Sequence, residues 1–236
     1  MAANDSKTLR IGVLLTHSVQ LLDLAAVDLF GMMSKDYIGE VDVFPPDITS
    51  LGLPVDINYI GIQPSCAGTF IRCTANIGIR LTASIHDTSV STDNLDILVI
   101  PGPDPKYVPD ESVLAFVKAH HDAGNDVLAI CTGSYVAGYA GILDHKNVTG
   151  PRGLISDLEV KFPNVKKWDT TRRVVKDGNV WTSGGVTNGN DLVAAYLREH
   201  YPLPLVNTIL SIADVGGRQI EPIIKTGWIS SSQAPN

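Results

Sequence analysis

Short apolar segments alternate with longer amphipathic segments along most of this chain. Residues 8–15, 95–100 and 127–130 are almost wholly apolar and rich in β-branched and aliphatic side chains, which predicts strands buried on both faces. Apolar residues at helical spacing predict helices at residues 21–33, 112–121, 133–140, 154–162, 190–199 and 205–215. Strands of this kind that alternate with helices predict an α/β sandwich, in which helices cover both faces of a mostly parallel sheet.

The region 51–85 departs from this pattern because its apolar and polar residues alternate. We expect two more exposed, antiparallel strands there, at residues 70–74 and 77–81. A further short strand is predicted at residues 41–44. An Asp-Gly pair favours a tight turn later in the chain, which predicts a hairpin over residues 174–182.

The sequence contains no internal repeat and no linker long enough to divide it. With 236 residues, of which 44% are hydrophobic and 18% charged, the chain has the composition of an ordinary globular protein. We therefore expect a single domain over residues 8–229. Residues 1–7 are predicted to form a loose N-terminus, and the Ser/Gln/Pro-rich residues 230–236 a flexible tail.

The charge and the cysteines exclude several classes of protein. A formal net charge of −7 argues against a surface for nucleic acid or anionic membrane, because both partners are themselves negatively charged. The N-terminus lacks an apolar signal core and no apolar run reaches the roughly 18 residues of a membrane span, so we expect a cytoplasmic protein. Cys66, Cys73 and Cys131 are odd in number and include no pair at zinc-ligand spacing, which predicts neither disulfides nor a metal site.

Cys131 is the first candidate for chemistry. The apolar strand 127–130 ends at this cysteine, and Thr132-Gly133 then leads into the next predicted helix. This strand–nucleophile–helix arrangement projects a side chain at the carboxyl end of a strand, where the N–H groups and the dipole of the helix favour a thiolate. The alternative is a buried structural cysteine, which is common in apolar runs. The local pattern alone leaves both interpretations open.

Three loops are expected to meet at the carboxyl edge of the sheet, because sites in open α/β sheets lie there. They are residues 16–23, 101–105 and 131–134. The first loop contributes His17 and Gln20 as polar candidates. Gly102 in the second loop allows a close backbone approach, so its N–H is a candidate oxyanion donor, or else it is a simple turn glycine. Pro103, which follows it, has no N–H to donate.

Asp23 is the third candidate, and leucines flank it on both sides. The residues alone favour a helix N-cap, the commonest role of an aspartate at a helix start. The functional alternative is an acid–base group whose pKa is displaced by burial and by a neighbouring thiol.

Five segments together resemble the ThiJ/PfpI superfamily, the class I glutamine amidotransferase-like proteins. They are residues 20–25 (QLLDLA), 100–102 (IPG), 129–133 (AICTG), 140–144 (AGILD) and 175–192 (VKDGNVWTSGGVTNGNDL). The resemblance covers about residues 9–217 and implies a flavodoxin-like fold, a nucleophile-elbow cysteine and a homodimer. An aspartate at position 23, where the glyoxalase and deglycase branch carries glutamate, and the Cys-Thr-Gly elbow are similar to the isonitrile hydratase branch.

That branch implies a cofactor-independent enzyme acting on a small electrophile. Cys131 would attack an isocyanide carbon and Asp23 would manage protons, which yields an N-substituted formamide. The N–H and hydroxyl of Thr132 would stabilise developing charge. The resemblance also implies that the substrate or its oxyanion is bound by Gly102, Gly133, Gln20 and His17.

Two departures from the superfamily pattern shape this prediction. Residues 148–151 read Val-Thr-Gly-Pro where relatives carry Thr-His, so a Cys131–Asp23 dyad is expected instead of a triad with histidine. Pro103 replaces a second glycine, which removes an N–H that relatives can use as an oxyanion donor. Two other functions stay open, a glyoxalase- or deglycase-like activity on dicarbonyls and a non-catalytic redox sensor that uses the same cysteine.

Overall fold

The computed structural model describes residues 7–41 and 44–217. The predicted tail at 230–236, and residues 1–6 of the predicted loose N-terminus, lie outside the described residues. The strands are β1 (Leu9–Leu14), β2 (Val55–Gly61), β3 (Phe70–Arg72), β4 (Gly78–Arg80), β5 (Ala83–Ser84), β6 (Ile97–Ile100), β7 (Asp126–Ala129), β8 (Asn147–Val148), β9 (Lys167–Trp168), β10 (Val174–Asp177) and β11 (Val180–Ser183). The α-helices are α1 (Leu21–Leu24), α2 (Asp28–Gly31), α3 (Lys35–Glu40), α4 (Pro46–Thr49), α5 (Glu111–Asp122), α6 (Gly133–Tyr139), α7 (Ile155–Lys161), α8 (Asn188–His200) and α9 (Leu203–Ile212).

Within the described chain, seven strands form one sheet in the order β10-β11-β7-β6-β1-β2-β5. All neighbouring pairs are parallel except β10 and β11, which form an antiparallel hairpin at one edge. The mostly parallel sheet and the hairpin are therefore confirmed. Gly178 in the hairpin turn has a φ of +65°, a conformation that glycine adopts without a Cβ clash. Across residues 7–41 and 44–217, none of the helices is both long and apolar enough to traverse a lipid bilayer.

Successive residues of the central strands enter two different hydrophobic cores, because side chains alternate across a sheet. In β6, Ile97 and Val99 join the core that contains residues of α2, α8 and α9. Leu98 and Ile100 join the core that contains residues of α5, α6 and α7. Helices therefore cover both faces, as the uninterrupted apolar strands predict.

One strand was not predicted, and two local predictions differ from the structure. The unpredicted strand is β2, which pairs with β1. Most of its residues are only half buried, so its sequence alternates between apolar and polar residues. Val41 and Phe44 are not in a strand, and the two residues between them lie outside the described chain. The single helix predicted at 21–33 is interrupted by a 3-10 turn at Ala25–Val27.

The two antiparallel strands expected in the region 51–85 are confirmed as β3 and β4, which pair with each other. Beyond β3, Cys73 forms a β-bridge with Val19 of the loop that follows β1. The hydroxyl of Thr74 accepts a hydrogen bond from the N–H of Leu21 at 2.9 Å. The hairpin is thereby attached to the first loop and contributes a wall to the cavity described below.

Candidate active site

The parallel neighbours β1, β6 and β7 end at the same edge of the sheet, and their loops enclose a cavity of about 430 Å³. Five of the residues predicted from sequence line it, namely His17, Gln20, Gly102, Cys131 and Thr132. The expected convergence of the three loops is therefore observed. Asp23 and Gly133 are not part of this lining, but Asp23 contacts Gly102 and Cys131, and Gly133 packs against Ile100.

The elbow depends on a close approach of two backbones. Cys131 has a φ of +54°, in the left-handed region that β-carbon-bearing residues seldom adopt. A Cβ at Gly133 would overlap the carbonyl oxygen of Ile100, so only glycine fits beside β6. The N–H of Gly133 donates to the carbonyl of Ile130 at 2.8 Å. Gly133 thus permits the turn and has no free N–H to offer a substrate, in contrast to its predicted substrate-binding role.

The Cys131 thiol is buried, with 7% of the residue exposed. The backbone N–H groups of Thr132 and Val186 are directed at its sulfur and lower its pKa. Burial, followed by the charge of Asp23, outweighs them and raises the pKa of Cys131 to about 11. The expectation that the elbow favours a thiolate is therefore wrong for the resting protein, where the thiol keeps its proton.

Asp23 is fully buried, with 0% exposure. It is the third residue of α1, whose N-cap position is held by Gln20, so the N-cap interpretation is wrong. Burial raises the pKa of Asp23 to about 7, although hydrogen bonds with Gly102 and Cys131 lower it in part. A carboxyl that gains and loses a proton near neutrality is suited to acid–base work beside a thiol.

The two carboxylate oxygens of Asp23 have different surroundings. Oδ2 accepts a hydrogen bond from the N–H of Gly102 at 3.1 Å. Oδ1 is buried and has no partner of standard geometry within the described chain. Hydrogen bonding with the Cys131 thiol nevertheless already lowers the pKa of the carboxyl, so the two groups are in contact. The pair can pass one proton between sulfur and carboxylate as the sulfur forms a bond.

Two donors predicted for an oxyanion are already engaged elsewhere. The N–H of Gly102 is bound to Asp23, and a Cβ at this position would collide with both Asp23 and Thr132. The hydroxyl of Thr132 donates to the carbonyl of Pro103 at 2.7 Å. Gly102 and the Thr132 hydroxyl therefore position the dyad, and the N–H groups directed at the reacting sulfur come from Thr132 and Val186.

Val186 is the site residue that the sequence analysis missed. It lies in the loop between β11 and α8 and has a φ of +43°, which is strained for a β-branched residue. This conformation directs its N–H at the Cys131 sulfur. The only signal in the sequence is the Gly184-Gly185 pair before it, which marks an irregular backbone without indicating which residue reaches the cysteine.

The position where relatives carry histidine is packed into the protein and does not line the cavity. A Cβ at Gly150 would lie 2.8 Å from Cδ1 of Leu158, so a larger side chain does not fit without rearrangement. The neighbouring Thr149 donates its hydroxyl to the carbonyl of Asp169 at 2.7 Å. Leu154 lines this side of the cavity instead. The geometry therefore agrees with a dyad that lacks this histidine.

His17 and Gln20 of the first loop also line the cavity. The imidazole of His17 is exposed and stacks on the ring of Tyr107, with centroids 5.4 Å apart and planes at 26°. The N–H of Gln20 donates to the carbonyl of Gly102 at 3.1 Å, which ties the first loop to the second.

Metal-ligating residues do not cluster in the described part of the chain, where no group of three or more His, Cys, Asp or Glu could hold an ion. Cys66, Cys73 and Cys131 are all free thiols.

Comparisons with known proteins identify relatives of this chain. The model of the DJ-1/PfpI family matches residues 31–199, more than half of the sequence. An isonitrile hydratase of Pseudomonas putida is 29% identical over 195 residues, covering 81% of this chain and 72% of that protein. The family match begins after Asp23, so the place of this residue beside Cys131 rests on the geometry above.

Solved structures share the fold. A THiJ/PfpI family protein from Pseudomonas syringae superimposes with a TM-score of 0.67 at 18% identity, covering 95% of this chain and 81% of that chain. DJ-1beta of Drosophila melanogaster gives a TM-score of 0.66 at 18% identity, covering 89% of this chain and 99% of that chain. At this identity the likeness shows the fold alone, which is the flavodoxin-like α/β sandwich expected from the sequence.

Proposed function

Because the chain belongs to the DJ-1/PfpI family, we propose that it is a cofactor-independent enzyme that hydrates isocyanides to N-substituted formamides. Cys131 is the nucleophile and Asp23 the acid–base group. The observation that carries the proposal is the contact between a protonated thiol and a fully buried carboxyl whose pKa lies near neutrality. The similarity to an isonitrile hydratase supports the substrate class.

The first half of the reaction joins the substrate to sulfur. The sulfur of Cys131 attacks the terminal carbon of R–N≡C while ionised Asp23 accepts the thiol proton. Asp23 then delivers that proton to the same carbon, which gives the thioimidate R–N=CH–S–Cys131. The N–H groups of Thr132 and Val186 stabilise the negative charge that develops on sulfur during proton transfer.

The second half releases the product. Water adds to the thioimidate carbon and Asp23 accepts one of its protons. The nitrogen takes up a second proton, which is balanced by the proton that the new hydroxyl releases when the carbonyl forms. The carbon–sulfur bond then breaks as the carbonyl forms, and the departing sulfur recovers its proton from Asp23. The product is R–NH–CHO, and the thiol and carboxylate return to their initial states.

The charge of the cavity favours an uncharged substrate over an acidic one. No lysine or arginine occurs among the described residues that line it, and Asp104 adds a carboxylate at its rim. An isocyanide needs no counter-ion, whereas a keto acid would bring its carboxylate beside Asp104 and the partly ionised Asp23.

The chemistry of the thiol disfavours a peroxide sensor. Peroxide reacts with thiolates, and sensor cysteines are exposed and have a low pKa. Cys131 is buried and its pKa is raised to about 11. This thiol is better suited to a reaction in which Asp23 accepts its proton while the carbon–sulfur bond forms.

The test is a substrate screen with an alkyl isocyanide beside methylglyoxal. We expect formamide production by the wild type, and its loss in Cys131→Ala and Asp23→Asn. Cys66→Ala, which changes another buried cysteine, and Asp28→Asn, which changes an exposed aspartate, are the matched controls and should retain activity. Turnover of methylglyoxal alone would replace this proposal with a dicarbonyl activity, and oxidation of Cys131 without any turnover would replace it with a sensor.

We also propose that the enzyme is a cytoplasmic homodimer. The three free thiols suit a reducing compartment. Phe70 is 68% exposed and Ile77 is 44% exposed around the β3–β4 hairpin, and apolar side chains of this kind suit a subunit contact. Light scattering of the purified protein tests the assembly, and a monomeric mass at micromolar concentration would contradict it.

A further inference from the structure

One proton transfer in the reaction has no donor in the dyad. Asp23 serves the sulfur, the isocyanide carbon and the attacking water, and it lies beside the buried Cys131. The nitrogen of the thioimidate is one bond further from sulfur and must gain a proton before the product forms. Its donor has to lie on the cavity wall away from Cys131 and carry an exchangeable proton near neutral pH.

His17 occupies such a position. It lines the same cavity as Cys131, but it is exposed where Cys131 is buried, so it lies toward the opening. Stacking on Tyr107 orients the imidazole. Tyr107 is itself held by a turn in which its N–H donates to the carbonyl of Asp104 at 2.9 Å. Within the described residues the His17 ring makes no hydrogen bond, which leaves its nitrogens available to a substrate.

The other polar side chains of the cavity are poorer proton donors. Ser18, Gln20 and Thr74 carry hydroxyl or amide groups, which do not give up a proton near neutral pH. Asp104 is an exposed carboxylate whose Oδ1 already accepts the N–H of Lys106 at 2.8 Å. Histidine is the side chain best suited to donate and recover a proton in this range.

We propose that His17 is a catalytic general acid that protonates the nitrogen of the thioimidate; this inference rests on the proposed isocyanide hydration. Protonated His17 donates its proton to nitrogen as water adds to carbon. It recovers a proton from the new hydroxyl when the carbonyl forms and the carbon–sulfur bond breaks. Each cycle therefore leaves His17 unchanged and consumes one water and one isocyanide. His17 thereby supplies from the first loop an imidazole that the packed Gly150 position lacks.

Two variants separate proton transfer from stacking. His17→Gln removes the exchangeable proton, and His17→Phe also removes it but keeps a ring against Tyr107. The control is His86→Gln, another exposed histidine outside this cavity. We expect both His17 variants to lose about 10²-fold in kcat, a typical contribution of general acid catalysis, while His86→Gln keeps wild-type turnover.

The covalent intermediate identifies the step. Mass spectrometry of a quenched reaction should show each His17 variant accumulating Cys131 with one added isocyanide, formed at the wild-type rate. Added imidazole should restore turnover in part. Wild-type kcat in His17→Phe, or a higher KM without adduct accumulation, would overturn the role of His17. A wild-type protein that forms neither adduct nor formamide would instead refute the proposed function itself.

Discussion

The backbone N–H of Gly102 donates to Oδ2 of Asp23 at 3.1 Å, across 79 residues of sequence. This bond fixes one oxygen of the buried carboxylate, while Oδ1 keeps no partner of standard geometry in the described chain. The carboxyl is therefore oriented by the protein and still able to exchange a proton with the Cys131 thiol beside it. A glycine from the loop after β6 thus determines how an acid–base group on α1 meets a nucleophile after β7.

Gly102→Ala should damage this arrangement directly. The added Cβ would collide with Oδ2 of Asp23 and Oγ1 of Thr132, so the carboxyl must move away from the thiol. We expect kcat/KM to fall by about 10²-fold, the effect of a displacement of roughly 1 Å in a catalytic group. Gly39→Ala is the control, because nothing lies within 4 Å of the Cβ it would add. Equal activities of the two variants in a steady-state assay would show that the carboxyl tolerates the displacement.

Asp23→Asn should stabilise the protein at neutral and alkaline pH. The folded state holds the Asp23 pKa at about 7, above its ordinary 3.8, so folding opposes ionisation. Below pH 3.8 the carboxyl is protonated in both states and contributes no difference. As pH rises to about 7, the unfolded chain ionises first and the folded protein loses stability, up to about 4 kcal/mol at 1.36 kcal/mol per pKa unit.

Denaturant unfolding at several pH values measures this effect. The free energy of unfolding of Asp23→Asn should exceed that of the wild type above neutrality and converge with it in acid. A difference that does not depend on pH would mean that the substitution acts through packing. Asp28→Asn, which changes an exposed aspartate five residues further along the chain, is the matched control.

The activity should rise with pH through a transition near pH 7. Asp23 must be ionised to accept the thiol proton, and its pKa is about 7. The thiol keeps its proton up to a pKa of about 11, and protonated His17 acts only after the adduct has formed, so kcat/KM should not fall again until strongly alkaline pH. A profile of kcat/KM between pH 5 and 9 tests for the predicted rise near pH 7. If kcat/KM rises only above pH 8, a thiolate must form before the substrate binds.

Thr132→Val should affect stability more than chemistry. The hydroxyl of Thr132 donates to the carbonyl of Pro103, and valine leaves that buried acceptor unpaired. We expect a loss of about 1–3 kcal/mol in the free energy of unfolding. The backbone N–H that is directed at the Cys131 sulfur is unchanged, so kcat should remain close to that of the wild type. Thr132→Ser, which keeps the hydroxyl, is the matched control; a large drop in kcat for valine alone would assign the hydroxyl to the reaction.

Much of the fold follows from local pattern. The apolar runs that became β1, β6 and β7 are recognisable because strands buried on both faces need apolar residues at every position. β2 was not recognised, because it is only half buried and reads as an alternating segment. The interruption of the first helix at Ala25–Val27 likewise has no distinct signal in its sequence.

The sequence by itself determined that Cys131 ends a buried strand before a helix, and that the loops of His17 and Gly102 end at the same edge of a parallel sheet. Only the tertiary structure decided the protonation of the site. Burial and the charge of Asp23 raise the pKa of Cys131, so that the thiol is protonated where a thiolate was expected. The N–H of Gly102 donates to the carboxylate of Asp23 and is not available to a substrate. It also brings Val186, 55 residues after Cys131, to the sulfur. Desolvation and hydrogen bonding depend on groups that are distant in sequence. The local sequence pattern does not indicate which of these groups come into contact.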